Sequence, residues 1–223
     1  MIMKKILFCL MLIIPCFVFA QFGIKAGLNF ANVSKVSSIN NSSRTGFNIG
    51  LLLAPKSKKI ISSRTEIVFS RQGYDYKTST NTGNVNLDYI MMPQYMCINI
   101  TKYFQIQFGG QMAFLISATA DSTKNSGGSS GPYSAILNYY NKFDYGYGGG
   151  VEIHPVSGLL IGARVNISLS NLYNIDPNSY SSGTSPSFIP KVDVKNNLFQ
   201  VFAGWKFGKN EKKKEKKKEN KEE

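Results

Sequence analysis

From Gln21 onward the chain alternates: Phe22, Ile24, Ala26, Leu28 and Phe30 share one parity, and Gly23, Lys25, Gly27 and Asn29 share the other. Successive side chains of a strand point to opposite faces, so this run predicts a strand with one apolar side. The pattern returns at Phe47, Ile49, Leu51 and Leu53, at Ile61, Ser63, Thr65, Ile67 and Phe69, and at every second position from Phe104 to Ile116. It returns again at Phe143, Tyr145, Tyr147, Val151 and Ile153, along Leu159 to Leu169, and at Phe199, Val201, Ala203, Trp205 and Phe207. Between Leu87 and Thr101 nearly every residue is apolar. There Ile90, Met92, Met96, Ile98 and Ile100 are assigned to the apolar face and Tyr89, Met91, Tyr95, Cys97 and Asn99 to the other, which places Gln94 among the apolar side chains.

Eight strands of this length match what a small membrane barrel requires, since a tilted strand crosses the hydrocarbon in about 9 to 11 residues. The connections alternate too. Val33 to Arg44, Asp75 to Asn86, Thr119 to Asn141 and Asn171 to Lys195 read as long loops, while Pro55 to Lys59, Thr101 to Tyr103 and His154 to Gly158 read as tight turns. Together these features predict an all-β fold: an eight-stranded antiparallel up-and-down transmembrane β-barrel with short periplasmic turns and long extracellular loops. A soluble lipocalin-like barrel also alternates, but it would turn its apolar face inward.

If the apolar parity faces lipid, the other parity fills the lumen. It carries Lys25, Arg64, Glu66, Asp144, Glu152, Arg164 and Lys206, with Ser62, Ser70, Gln105, Gln107, Gln111, Asn166 and Ser168 between them. Charges sealed in so narrow a space must be paired, because an unpaired buried ion costs several kcal/mol. The expected interior is a plugged polar core in which Gly146, Gly148 and Gly150 leave room for long side chains from across the barrel. Aromatic residues are expected at both water interfaces, with Phe22, Tyr103, Phe104, Trp205 and Phe207 near the turns and Phe30, Phe47, Tyr74, Phe143 and Tyr145 near the loops.

Composition fits this reading. With 43% hydrophobic and 17% charged residues the chain can bury a core. Met1 to Ala20 has the layout of a secretory leader, with Lys4 and Lys5 ahead of the apolar run Ile6 to Val18 and with Val18 and Ala20 at minus three and minus one of an expected cleavage site after Ala20. Residues 21–208 then form the barrel. Cys9 and Cys16 fall in the leader, so Cys97 is left alone and no internal disulfide is expected. Lys209 to Glu223 holds eight lysines and five glutamates with nothing apolar to bury, and reads as a solvated periplasmic tail. Its local net of +3, with Lys56, Lys58 and Lys59 of the first turn, is expected to meet anionic membrane surfaces, and nucleic acid is not an expected partner of a secreted chain.

The ordered set QFGIKAGLNFANV, SRTEIVFSRQGYDYK, LDYIMMPQYMCINITKYFQIQFGGQ, FDYGYGGGVEI, ARVNISLSNLYN and NNLFQVFAGWKFG resembles the PorT-like family of small outer-membrane β-barrel proteins, over roughly Gln21 to Gly208. The family usually carries an acidic residue in its LxYLEIP stretch, where this chain has Met91. The resemblance implies a non-enzymatic barrel in the cell outer membrane that assists protein secretion. Phe199, Val201, Ala203, Trp205 and Phe207 of the closing strand resemble the signal read by the barrel insertion machinery.

Chemistry-bearing motifs are sparse. Gly127 to Gly131 matches G-x-S-x-G, but a nucleophile elbow requires a strand-to-helix turn and a histidine, and this match lies in a Gly/Ser loop. His154 precedes Pro155 in a tight turn and reads as a turn residue. No catalytic residue, cofactor or metal is expected. Two roles fit: an envelope barrel whose loops or tail contact another component, such as a secretion complex, or a binding and transport barrel whose Tyr133, Tyr139, Tyr140, Tyr173 and Tyr180 hold a small hydrophobic molecule or glycan.

Overall fold

The computed structural model describes residues 20–34, 40–55, 60–77, 81–124, 136–174 and 194–207. Apart from Ala20, the expected leader lies outside them, as do the charged tail and the G-x-S-x-G match. The strands are β1 (Ala20–Val33), β2 (Asn40–Pro55), β3 (Ile61–Lys77), β4 (Asn81–Asn99), β5 (Phe104–Lys124), β6 (Phe143–Ile153), β7 (Leu159–Ser168) and β8 (Asn196–Phe207), with a short 3₁₀ turn at Leu137–Tyr139. Each strand pairs antiparallel with its sequence neighbours, and β1 pairs β8 from Phe22↔Phe207 to Val33↔Asn196, closing the ring. Closure leaves the sheet without an edge, so the ladder satisfies backbone groups that lipid could not.

The alternation places side chains as the sequence pattern requires. Ile24, Leu28, Ile49, Leu51, Ile106, Phe108, Val151, Val165 and Val201 stand exposed on the outside, Ile49 at 57%, while Lys25, Arg64, Glu66, Glu152 and Arg164 are buried within. An apolar belt around a polar interior is the inverse of a soluble barrel and fits hydrocarbon. The strand that was hardest to read obeys the same parity: Tyr89, Met91, Tyr95 and Cys97 are buried, and Gln94 faces outward. There the Thr65 hydroxyl on β3 donates to the Gln94 carboxamide oxygen, giving that polar group a partner on the lipid face. Aromatic rings meet at both ends of the belt, Phe22 with Phe207 beside the turns and Phe30 with Phe199, Phe47 with Phe69 and Phe114 with Phe143 towards the loops.

The loops are shorter than the hydropathy suggests. Asp75, Tyr76 and Lys77 pair with Asn84, Gly83 and Thr82, and β4 continues along β5 as far as Asn81↔Lys124. The segments Asp75 to Asn86 and Thr119 to Lys124 are therefore mostly ladder. Beyond the lipid belt the polarity of the faces reverses: Asp75, Lys77, Thr82, Asn84, Thr119 and Asp121 face outward, whereas Tyr74, Tyr76, Val85, Leu87, Ala118 and Ala120 are buried inside. A reading that ends each strand where the outward apolar residues end misses a sheet that simply leaves the membrane. One residue inserted in β5 between the pairs Asp88↔Ser117 and Tyr89↔Leu115 sets the phase that turns Ala118 and Ala120 inward. Tyr74, expected at the water interface, belongs to this interior and is fully buried.

The depth of the belt can be measured energetically. Leu51→Arg, on the lipid face of β2, is expected to destabilise the barrel by about 2–4 kcal/mol in denaturant unfolding from vesicles, the usual cost of an arginine near the midplane. Thr82→Arg, outside the belt, is expected to change stability by less than about 0.5 kcal/mol.

Candidate functional site

The lumen is built in three layers. At the turn end, Glu152 on β6 takes two hydrogen bonds from Arg64 on β3, at 2.5 and 2.9 Å, with Lys206 of β8 at 3.4 Å and His154 Nε2 at 3.1 Å. Next to it, Glu66 on β3 meets Lys25 of β1 at 2.6 Å and both guanidinium nitrogens of Arg164 on β7 at 3.0 and 3.1 Å. Gln107 joins the two centres: its amide donates to Glu152 at 2.8 Å, and its carbonyl accepts from Arg164 at 2.6 Å. Arg164 lies over the Tyr95 ring, 4.0 Å from its centroid, and Lys25 over Phe202 at 4.5 Å. Each carboxylate thus has at least two cations, which offsets the desolvation of groups that are almost wholly buried.

The middle layer is a belt of amides. Tyr95 Oη donates to Asn166, Asn166 to Gln200, and Gln200 to Asn29, all at 2.8–3.0 Å. Asn48 also donates to Asn29, which in turn donates to Ser70, and Gln72 links Ser70 to Asn196. These chains cross the barrel, so strands far apart in the ring are tied through the lumen. Space for them depends on missing side chains: a Cβ on Gly148 would sit 2.1 Å from Asn166 Oδ1 and 3.0 Å from Tyr95 Oη. At this depth Met91 Sδ accepts a contact from the Gln72 amide at 3.4 Å.

The loop-end layer is apolar. Val85, Leu87, Leu115, Leu172 and Leu198 pack around Tyr74, whose hydroxyl meets those of Tyr140 at 2.8 Å and Tyr173 at 2.7 Å. Tyr140 and Tyr173 also form an isolated backbone bridge, and Asn141 donates to the carbonyls of Asn171 and Tyr173. The segments around β6 and β7 are thereby folded over the barrel mouth.

Six of the seven residues expected in the lumen network, Lys25, Arg64, Glu66, Glu152, Arg164 and Lys206, form one cluster. Asp144 does not join it. It lies towards the loop end and accepts hydrogen bonds from the hydroxyls of Ser168 and Ser170, so its partners are neutral rather than cationic. Phe199, Val201, Ala203, Trp205 and Phe207 all face outward on β8. The sequence reading puts Asn29, Ser70, Tyr95 and Asn166 on the inward parity without joining them into a belt, and it does not find the tyrosine plug, although Tyr74 shares the parity of Arg64, Glu66 and Ser70. The contact of His154 with Glu152 has no such signal, because turn residues have no parity.

Removing one partner from the ion cluster leaves the others buried and unpaired. Glu66→Gln is expected to cost about 3–5 kcal/mol in denaturant unfolding, whereas Tyr74→Phe, which loses neutral hydrogen bonds, should cost about 1–3 kcal/mol. Burial and the nearby Lys206 hold the His154 imidazole below its ordinary pKa of 6.5. Because the unfolded chain takes up this proton first, stability should fall as pH drops below about 6.5, and His154→Gln should remove that part of the acid sensitivity.

The family match agrees with this architecture. The model of the outer membrane protein beta-barrel domain matches residues 19–174. No curated protein matches the chain by sequence. Among solved structures it is similar to Ail, the attachment invasion locus protein of Yersinia pestis, with 16% identity, a TM-score of 0.47 and coverage of 84% of this chain and 99% of that one. It is also similar to Neisserial surface protein A, with 14% identity, a TM-score of 0.46 and the same coverage. A closed ring of eight antiparallel strands with an apolar belt, matched over most of its length by that family model, means that the chain belongs to the outer membrane protein beta-barrel domain family.

Proposed function

We propose that this protein is a non-enzymatic, non-conducting barrel of the outer membrane that presents its loop-end surface to another envelope component, and that the process it serves is protein secretion, as the PorT-like resemblance implies. The observation that carries this reading is the filled lumen. Among the described residues, an ion cluster at one end and an amide belt across the middle tie the lumen side chains to one another, and the Tyr74, Tyr140 and Tyr173 plug caps the other end. Among the described residues, the surface offered for recognition is the outside of the sheet beyond the lipid belt, where Lys77, Thr82, Thr119 and Asp121 face water. In this reading Met1–Ala20 is removed during export, the aromatic-ended β8 is read by the insertion machinery, and Lys209–Glu223 lies in the periplasm against anionic lipid.

The alternative of a ligand-binding or transport barrel fits less well. Two of the tyrosines assigned to it, Tyr140 and Tyr173, spend their hydroxyls on Tyr74, and Tyr133 and Tyr180 fall outside the described residues. The reading is tested in planar bilayers and in cells. The purified barrel should give no conductance steps, and a photo-crosslinker at Thr119 should trap a secretion component that the same probe at Leu51 does not. Steady ohmic conductance would point to a channel instead.

A further inference from the structure

The ion cluster opens at the turn end into a cavity of about 580 Å³, lined by Arg64, Asn99, Gln105, His154 and Lys206 among others. We infer that this vestibule is a binding site for a small oxyanion, a phosphate or a carboxylate, entering from the periplasm. The first argument is charge. Among the described residues, the cluster contains four cations, Lys25, Arg64, Arg164 and Lys206, against two carboxylates, Glu66 and Glu152. Asp144 cannot correct the balance, since its partners are Ser168 and Ser170. At the vestibule itself the lining carries Arg64, Lys102 and Lys206 and, among the described residues, no carboxylate.

The second argument is an unused donor. Arg64 is 1% exposed, yet its Nε has no hydrogen-bond partner among the described residues, while its two terminal nitrogens are spent on Glu152 and Gln105. Arg164 Nε is unpaired as well, but of the two guanidinium groups only that of Arg64 borders the vestibule; its Nε is sealed from the cavity at rest, and an oxyanion would satisfy hydrogen bond and charge together as the group turns towards it. The amides of Asn99 and Gln105 on the same wall are engaged, Gln105 with Asn99 and Asn99 with Ser62, which leaves the cations as the ligand's partners. The volume admits more than a bare ion, so the ligand class includes organic acids and phosphate esters. The inference does not depend on the proposed secretion role, only on the vestibule and its cations.

The test uses the full chain refolded in detergent micelles. Inorganic phosphate and, separately, acetate are titrated against chloride at matched ionic strength, with heat measured by calorimetry. Trp205, the single tryptophan, supplies a second signal, since its ring packs on Gly158 of the vestibule rim. Saturable binding of phosphate or acetate beyond the chloride control is expected, weakened at least tenfold by Lys206→Met and unchanged by Lys142→Met at the loop end. Phosphate alone binding would assign a phosphate site, and acetate alone a carboxylate site. Absence of saturable binding by either anion would overturn the inference, as would equal affinity in Lys206→Met. A shift on unboiled gels verifies that each variant is folded; if Lys206→Met is not, His154→Gln decides, and wild-type affinity there would contradict the site.

Discussion

Hydrocarbon offers no partner to a backbone N–H or C=O, and every other feature of this barrel follows from that constraint. A sheet can satisfy it only by closing, which β1 and β8 do over twelve residue pairs from Phe22↔Phe207 to Val33↔Asn196. Once the ring closes, strand alternation leaves no choice about the side chains: the parity that meets lipid must be apolar, and all charge must go inside. The interior then has to satisfy itself. Glu66 and Glu152 do so by drawing Lys25, Arg64, Arg164 and Lys206 from four different strands into one cluster.

The same constraint ends where the membrane ends. Along β3, β4 and β5 the ladder continues into water, and the faces exchange polarity, with Tyr74, Tyr76, Val85 and Leu87 inside and Asp75, Lys77 and Thr82 outside. Along these strands the wall therefore has two parts in series, one with a polar interior for lipid and one with an apolar interior for water. The tyrosine plug belongs to the second, and the ion cluster to the first. Arg71 lies near their junction, paired with Asp88 at 2.7 Å and placed over the Phe47 ring, where a long side chain can span belt and water.

Period-two alternation made the ring legible in the sequence: eight strands, their lipid faces, and the inward charges of Lys25, Arg64, Glu66, Glu152, Arg164 and Lys206 all follow from parity. Two things did not. The length of β3 to β5 was hidden because the outward hydrophobicity that marked each strand stops at the water interface while the hydrogen-bonded ladder does not. Partner choice was hidden because parity states which side of the wall a residue occupies, not what lies across a lumen. Asp144 was thus grouped with the cations although its neighbours are Ser168 and Ser170, and Tyr74 was placed in the aromatic girdle although its parity already matched Ser70. His154 shows a third limit: its contact with Glu152 joins a turn to the lumen, and only the folded geometry brings them together.

The measurement that bears most directly on this account is gel electrophoresis of the outer-membrane fraction with and without boiling. A closed, internally tied barrel resists detergent until heated, so the unboiled protein should migrate differently from the boiled one, and the shift should be lost at milder temperature in Glu66→Gln. Recovery of the protein in the soluble fraction, with identical migration before and after boiling, would contradict the lipid-facing belt and the sealed lumen together.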